Sequence, residues 1–227
     1  MKVAVVHYWL VNMRGGEKVL ETFLEMFPGA DIFTHVYDPR FVSAGIRSHR
    51  IHTSYINRLP FAKRLYQKYM PLMPRALKDF NLSGYDLVIS SESGPAKGVV
   101  PDPPAFHVCY CHSPMRYLWD MYHEYLRRSN FVTGFFMKRF VPSLRIWDAV
   151  SSNLVDHFIA NSSYVAARIR RYYNRAADVV FPPVSVEKFF SMERKPEDFY
   201  LFFGQMAPYK RADIALEACI ALGRRLV

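Results

Sequence analysis

Val3-Ala4-Val5-Val6-His7-Tyr8-Trp9-Leu10 is followed across a short loop by Gly15-Gly16-Glu17-Lys18-Val19-Leu20-Glu21-Thr22-Phe23-Leu24. The first run is apolar and of strand length, so Val3–Tyr8 is predicted as a strand. In the second, Val19, Leu20, Phe23, Leu24 and Phe27 recur at helical spacing, and Pro28-Gly29 stops the helix. A strand, a glycine-containing loop and an amphipathic helix in that order open a parallel sheet covered by helices.

The rest of the chain extends the pattern. Further strands are predicted at Asp31–Val36, Asp86–Ser90, Phe106–Cys111, His157–Ala160 and Val179–Phe181. Between the last two, Asn161 or Ser162 can cap a helix running to Tyr173. Its Val165, Ala166 and Ile169 are expected to face inward, and Arg168, Arg170 and Arg171 outward. The fold class is therefore α/β, a doubly wound Rossmann-like parallel sheet over residues 1–183. Pro182-Pro183 breaks the alternation, and a polar linker follows at 184–196. From residue 197 a new unit begins, with a strand at Phe199–Phe203, a helix from about Arg211 to Leu222 and the opening of another strand at Leu226-Val227. One βα unit cannot bury both of its faces, so 197–227 is expected to be the start of a second, truncated Rossmann-like domain.

Composition narrows the class of protein. Hydrophobic residues make up 51% and charged residues 22%, which excludes a disordered or fibrous chain. No uninterrupted apolar run reaches the roughly 18 residues of a membrane span, and the apolar start is too short for a signal peptide; a cytoplasmic location is expected. Cys109, Cys111 and Cys219 are an odd set in apolar segments and read as reduced thiols. The net charge of +10 points to anionic partners, whether phosphates, nucleic acid or an acidic membrane surface.

Three places could carry chemistry. Gly15-Gly16-Glu17 lies between the first strand and the first helix, where glycines let a ligand approach the backbone and a helix start favours phosphate; a plain tight turn reads equally well. The stretch is not the G-x-G-x-x-G dinucleotide fingerprint. Cys111-His112-Ser113-Pro114-Met115-Arg116-Tyr117 ends a strand and is predicted to open a helix, with Ser113 as N-cap and Pro114 at the first helical position. His112 and Arg116 then stand at the carboxyl edge of the sheet. His107, Cys109, Cys111 and His112 could be read as metal ligands, but alternation along a strand covered on both faces normally yields packing residues; no metal is expected. Third, Lys210 and Arg211 sit together at a helix start, where two cations oppose the helix dipole unless an anion lies between them; solvated surface cations are the alternative.

Two basic, aromatic segments stand apart. Arg58, Lys63, Arg64, Lys68, Arg75 and Lys78 interleave with Leu59, Phe61, Leu65, Tyr66, Tyr69, Met70, Leu72 and Met73, with helical spacing over Phe61–Met70. Arg127, Arg128, Lys138 and Arg139 surround Phe131, Phe135, Phe136 and Phe140. Both suit peripheral contact with an anionic bilayer, and both also suit a solvated outer helix. No recognition helix, zinc finger or RNP-like pattern accompanies them, so nucleic acid is not the expected partner.

Taken together, the motifs resemble the family 4 glycosyltransferases, in the subgroup that includes mannosyltransferases of bacterial cell-surface polysaccharide pathways. The resemblance runs from Met1 to Val227. It is carried by Val5–Leu10 with Gly15-Gly16-Glu17, by Tyr110-Cys111-His112-Ser113-Pro114-Met115-Arg116-Tyr117-Leu118-Trp119-Asp120, by Ala160-Asn161-Ser162, and by Gly204 with Pro208-Tyr209-Lys210-Arg211.

That resemblance implies a GT-B fold, two Rossmann-like domains facing a cleft, and transfer of a hexose, mannose by the nearest subgroup, from a GDP- or UDP-linked donor with retention. It implies a lipid-linked or polysaccharide acceptor and no cofactor or metal; no Asp-x-Asp pair occurs. By the same resemblance His112 points toward the transferred sugar as the catalytic candidate. Gly15, Gly16 and Glu17 lie near the donor phosphates and sugar, and Lys210, with Arg211, contacts the diphosphate. Arg116, Tyr117, Asn161 and Ser162 are the cleft candidates.

Two departures are visible. Gln205 stands where many members carry an arginine. The family's E-x7-E pair is expected after Val227, and the spacing of Glu17 and Glu25 is read as coincidence. The chain alone would then lack most of the nucleotide pocket and be inactive. A non-catalytic sugar- or phosphate-binding module and a GT-B sugar-nucleotide epimerase are the competing readings.

Overall fold

The computed structural model describes residues 1–186, 190, 196–204 and 210–227. They fall into two compact units, Met1–Pro183 and Val184–Val227.

The first unit is built on seven parallel strands: β1 (Val3–His7), β2 (Asp31–Thr34), β3 (Ile51–Thr53), β4 (Leu87–Glu92), β5 (Phe106–Cys111), β6 (His157–Ala160) and β7 (Asp178–Val179). Their spatial order is β3-β2-β1-β4-β5-β6-β7. The sheet is therefore wound outward in both directions from β1, the expected doubly wound α/β class. Side chains of β1 alternate between two apolar layers. Val3 and Val5 pack with Leu20 and Leu24 of α1 (Gly15–Met26), and Ala4 and Val6 with Leu77, Phe80 and Val88. Burial on both faces is why this strand is apolar along its whole length. On the other wing, Cys109, Cys111, Phe158 and Ala160 pack against Val165, Ile169 and Tyr173 of α7 (Ser163–Tyr173).

Three local expectations need correction, and one strand is additional to those expected. The edge strand β3 escapes a reading by hydrophobicity because it has only three residues, none of them fully buried. Phe61–Met70 forms no single amphipathic helix; it belongs to a chain of short turns from α3 (Ala62–Leu65) through a 3-10 segment to α4 (Met73–Ala76), with Ala62, Met73 and Ala76 in a core cluster that Tyr66, Tyr69 and Met70 flank. Ser113 caps no helix: residues 116–121 are turns, and the next helix, α5, starts at Tyr122 and ends at Arg128. Arg168 points inward, because the turn after β5 supplies oxygen acceptors to both of its terminal nitrogens away from water.

A long helix, α6 (Phe131–Ser151), follows α5. Its Asp148 is fully buried and paired with the equally buried Lys97. Trp119 donates its indole N–H to Asp148 at 2.7 Å, and the Tyr173 hydroxyl lies 3.0 Å from the same carboxylate oxygen. One carboxylate thus ties together the segment after β4, the turn after β5, α6 and α7.

In the second unit α8 (Ala212–Ala221) lies between two extended segments. Tyr200 and Leu226 form a parallel bridge, supported by Tyr200 N to Arg225 O at 2.9 Å and Phe202 N to Val227 O at 2.8 Å. This is a strand-helix-strand crossover, short by comparison with the expected strands. Gln205, Pro208 and Tyr209 lie outside the described residues.

Candidate functional site

Because the strand order reverses between β1 and β4, the connections after these two strands diverge and leave a crevice at their carboxyl ends, the usual ligand position in such sheets. His7 ends β1, in register with Ser91 of β4; Glu92 is in register with Cys111, and His112 follows directly. The first turn of α1 closes over this point. At Gly16 the approach is close: a Cβ there would lie 3.3 Å from the Tyr8 hydroxyl, 3.5 Å from His7 Cε1 and 3.6 Å from His112 Nε2. Gly15 meets nothing within 4 Å.

The two histidines differ in their partners. His112 Nε2 lies 2.9 Å from the Ser91 hydroxyl, and the Tyr110 ring packs edge-on against the imidazole. Burial pushes its pKa down to about 4, with His7 acting in the same direction and Glu17 against it. The imidazole is therefore neutral at pH 7, a hydrogen-bonding group without charge. His7 is fully buried, and neither ring nitrogen has a hydrogen-bond partner among the described residues. Its Nε2 stands 3.6 Å from Glu17 Oε1.

Glu17 was expected beside the donor phosphates. The structure buries it, with Oε2 accepting from the Arg14 amide at 2.8 Å and Oε1 turned to His7. Burial raises its pKa, but His7 and the amides of Glu17 and Arg14 outweigh that and leave the carboxyl below its ordinary value. It is an anion that shapes the loop from within.

The other candidates are placed as follows. Arg116 and Tyr117 lie in the turn after β5, where the Tyr117 hydroxyl contacts the sulfur atoms of Met115 and Met70 at 2.6 and 2.9 Å. Asn161 and Ser162 follow β6; Ser162 caps α7, accepting from Val165 N at 3.3 Å and donating to Asn161 Oδ1 at 3.1 Å. Lys210 and Arg211 precede α8 in the second unit, and Arg211 pairs with Asp213 at 2.8 Å. That carboxylate in the first turn offsets the adverse dipole.

His107 accounts for both of its nitrogens within the core. Its Nδ1–H donates to Leu154 O at 2.8 Å, which leaves Nε2 to accept from the Ser90 hydroxyl at 2.9 Å. Among the described residues no group of three His, Cys, Asp or Glu is arranged to hold a metal. Sequence reasoning missed His7 and Ser91 as members of the site. The available signal was polarity at the ends of otherwise apolar strands.

Comparisons with known proteins bear on the family and the fold. Residues 13–188 match the model of Glycosyltransferase Family 4. None of the curated proteins matches the chain. Among solved structures, Anabaena Alr3699/HepE in complex with UDP is 12% identical, with a TM-score of 0.58, covering 97% of this chain and 58% of that one. The apo lipopolysaccharide outer core galactosyltransferase WaaB is 16% identical over 91% of this chain and 53% of that one, at a TM-score of 0.48. E. coli heptosyltransferase WaaC with ADP is 14% identical over 100% and 65%, at 0.30. The likeness to HepE shows a shared fold. This chain spans little more than half the length of the first two structures.

Proposed function

The chain belongs to glycosyltransferase family 4, and on that premise we propose that it supplies the acceptor-side domain, and the first elements of the donor-side domain, of a retaining GT-B enzyme that transfers a hexose from a nucleotide sugar. The observation that carries this reading is the meeting of Gly16, His7, Ser91 and neutral His112 at the switch point of the sheet. The absence of a side chain at Gly16 lets the α1 backbone approach the Tyr8 hydroxyl and the two imidazoles closely, and an uncharged imidazole can hydrogen-bond a sugar hydroxyl without attracting bulk anions. Lys210, with Arg211, is assigned to the diphosphate, where positive charge would stabilise the departing nucleotide. Arg116, Tyr117, Asn161 and Ser162 are assigned to the acceptor side.

The α5–α6 surface supports a lipid-linked or polysaccharide acceptor met at the cytoplasmic face of an anionic membrane. Phe131, Val132, Phe135 and Phe136 are all more than half exposed there, among the exposed cations Arg127, Arg128, Lys138 and Arg139. Exposed rings interleaved with cations suit an anionic lipid interface. Among the described residues no helix is long and apolar enough to cross a membrane.

Calorimetry with GDP-mannose, UDP-glucose and the free diphosphates, with Lys210→Ala as control, tests the assignment. Saturable binding of one nucleotide sugar, lost in the variant, supports it; a chain that binds none of them refutes donor recognition by this polypeptide.

A further inference from the structure

The turn that follows His112 is secured from outside at both ends by one side chain. Arg168 of α7 is only 5% exposed; one terminal nitrogen donates to the Ser113 hydroxyl, and the other donates to the Pro114 carbonyl at 3.2 Å and to the Asp120 carboxylate. The middle of the turn is anchored separately, by Trp119 on Asp148 and by Arg145 Nε on the Leu118 carbonyl. A buried guanidinium contributes little net stability compared with well-packed apolar atoms, and this one leaves its Nε without a hydrogen-bond partner among the described residues, so its presence calls for another account. The planar fork provides one: it can fix the direction of several acceptors at once, which a point charge or an aliphatic chain cannot. Ser113 is the residue bonded to His112. Backbone entering His112 is held by β5, and backbone leaving it is held by Arg168.

We propose that Arg168 is a positioning residue, which fixes the turn from Ser113 to Asp120 and thereby keeps the His112 imidazole seated against Ser91 at the switch point. The functional weight of this rests on the reading of His112 given above; the positioning itself does not.

The groups facing His112 are His7, Glu17, Ser91, Gly16 and the Tyr110 ring. In the wild-type chain the buried imidazole titrates at about 4. Histidine-labelled NMR of the 227-residue chain, titrated downward from pH 8, reads this directly in Arg168→Met and Arg168→Lys. In Arg168→Met the His112 midpoint is expected to climb toward the free value of about 6.5 as water reaches the ring. Amide exchange in the turn is expected to quicken about tenfold, with His35 and His107 keeping their own low midpoints. Arg168→Lys should fall between the two. Should Arg168→Met fail to fold, Asp120→Asn replaces it, since that carboxylate is 30% exposed and its loss frees the far end of the turn. A folded variant that melts earlier yet keeps the His112 midpoint and turn exchange of the wild type overturns the proposal and leaves Arg168 a stabilising residue only. Calorimetry with the nucleotide sugars separates the two readings: a wild-type chain that binds no donor refutes the functional assignment, while an unmoved His112 midpoint refutes the positioning alone.

Discussion

The Ser91 hydroxyl and His112 Nε2 lie 2.9 Å apart and join the carboxyl ends of β4 and β5. Ser91 is fully buried, so its hydroxyl has no water to turn to if the imidazole moves. Ser91→Ala is expected to cost about 1 kcal/mol of stability. It should also change the 15N shift of His112 Nε2, because the ring loses the partner that orients it. A variant with wild-type stability and an unchanged Nε2 signal would mean that the contact does not order the ring.

Adjacent glycines in the α1 loop should respond differently to the same change. Gly15→Ala meets open space and is expected to stabilise by a few tenths of a kcal/mol up to about 1 kcal/mol, through helix propensity alone. Gly16→Ala gains the same propensity but pushes a methyl group to 3.3 Å from the Tyr8 hydroxyl and 3.6 Å from His112 Nε2. Its stability should stay near wild type while nucleotide-sugar binding falls at least about tenfold, a loss of roughly 1.4 kcal/mol. Thermal melts beside calorimetry on both variants make the comparison.

Acid should destabilise the first unit well above the carboxylate range. Burial depresses His112 and His107 to about 4 and His35 to about 3, all below the unfolded value near 6.5. Between these limits the unfolded chain binds protons that the folded chain refuses. The stability contributed by neutral burial is therefore complete above pH 6.5 and is lost as pH falls toward 4, and toward 3 for His35. At pH 5 the loss is roughly 1–2 kcal/mol per histidine. Urea midpoints at pH 7.5 and pH 5 should differ accordingly; equal midpoints would contradict neutral burial of these rings.

Lys97 and Asp148 form a buried pair with two further donors on the carboxylate. Asp148→Ala leaves the ammonium buried beside the Trp147 and Tyr173 rings without its carboxylate. A cost of about 3–5 kcal/mol is expected, read as a large drop in the urea midpoint. Lys97→Met should cost less than Asp148→Ala, since Trp119 and Tyr173 still donate to the carboxylate.

At Gly98 the packing is too tight for any side chain. A Cβ would come within 2.3 Å of Trp147 Cζ2, so Gly98→Ala is expected to cost roughly 1–3 kcal/mol or more as the indole is displaced. A fall in the melting temperature with a changed near-UV spectrum of the tryptophans would mark that displacement.

Much of the fold was legible because periodicity and burial coincide. The strands β1, β2, β4, β5 and β6 are mostly apolar runs whose central residues are largely buried, and α1 and α7 show one apolar stripe each. Where the reading failed, tertiary contacts overrode local pattern. Ser113-Pro114 looks like a helix start, but Arg168 takes the Pro114 carbonyl that a helix would have used. Arg168 itself carries no sequence mark of burial, since its acceptors lie some fifty residues away in the chain. At the site, Gly16 and His112 could be singled out from their place at strand-to-helix junctions. The inward turn of Glu17 could not, because it depends on the 3.6 Å approach of a histidine from the neighbouring strand.

A helix start ordinarily presents about half a positive charge to whatever lies before it. In α1 that charge meets the chain's own anion, the Glu17 carboxylate folded back on the Arg14 amide. The backbone field at this end of the helix is therefore answered from within the chain. What positive charge it shows to solvent comes from a side chain, the exposed guanidinium of the capping residue Arg14.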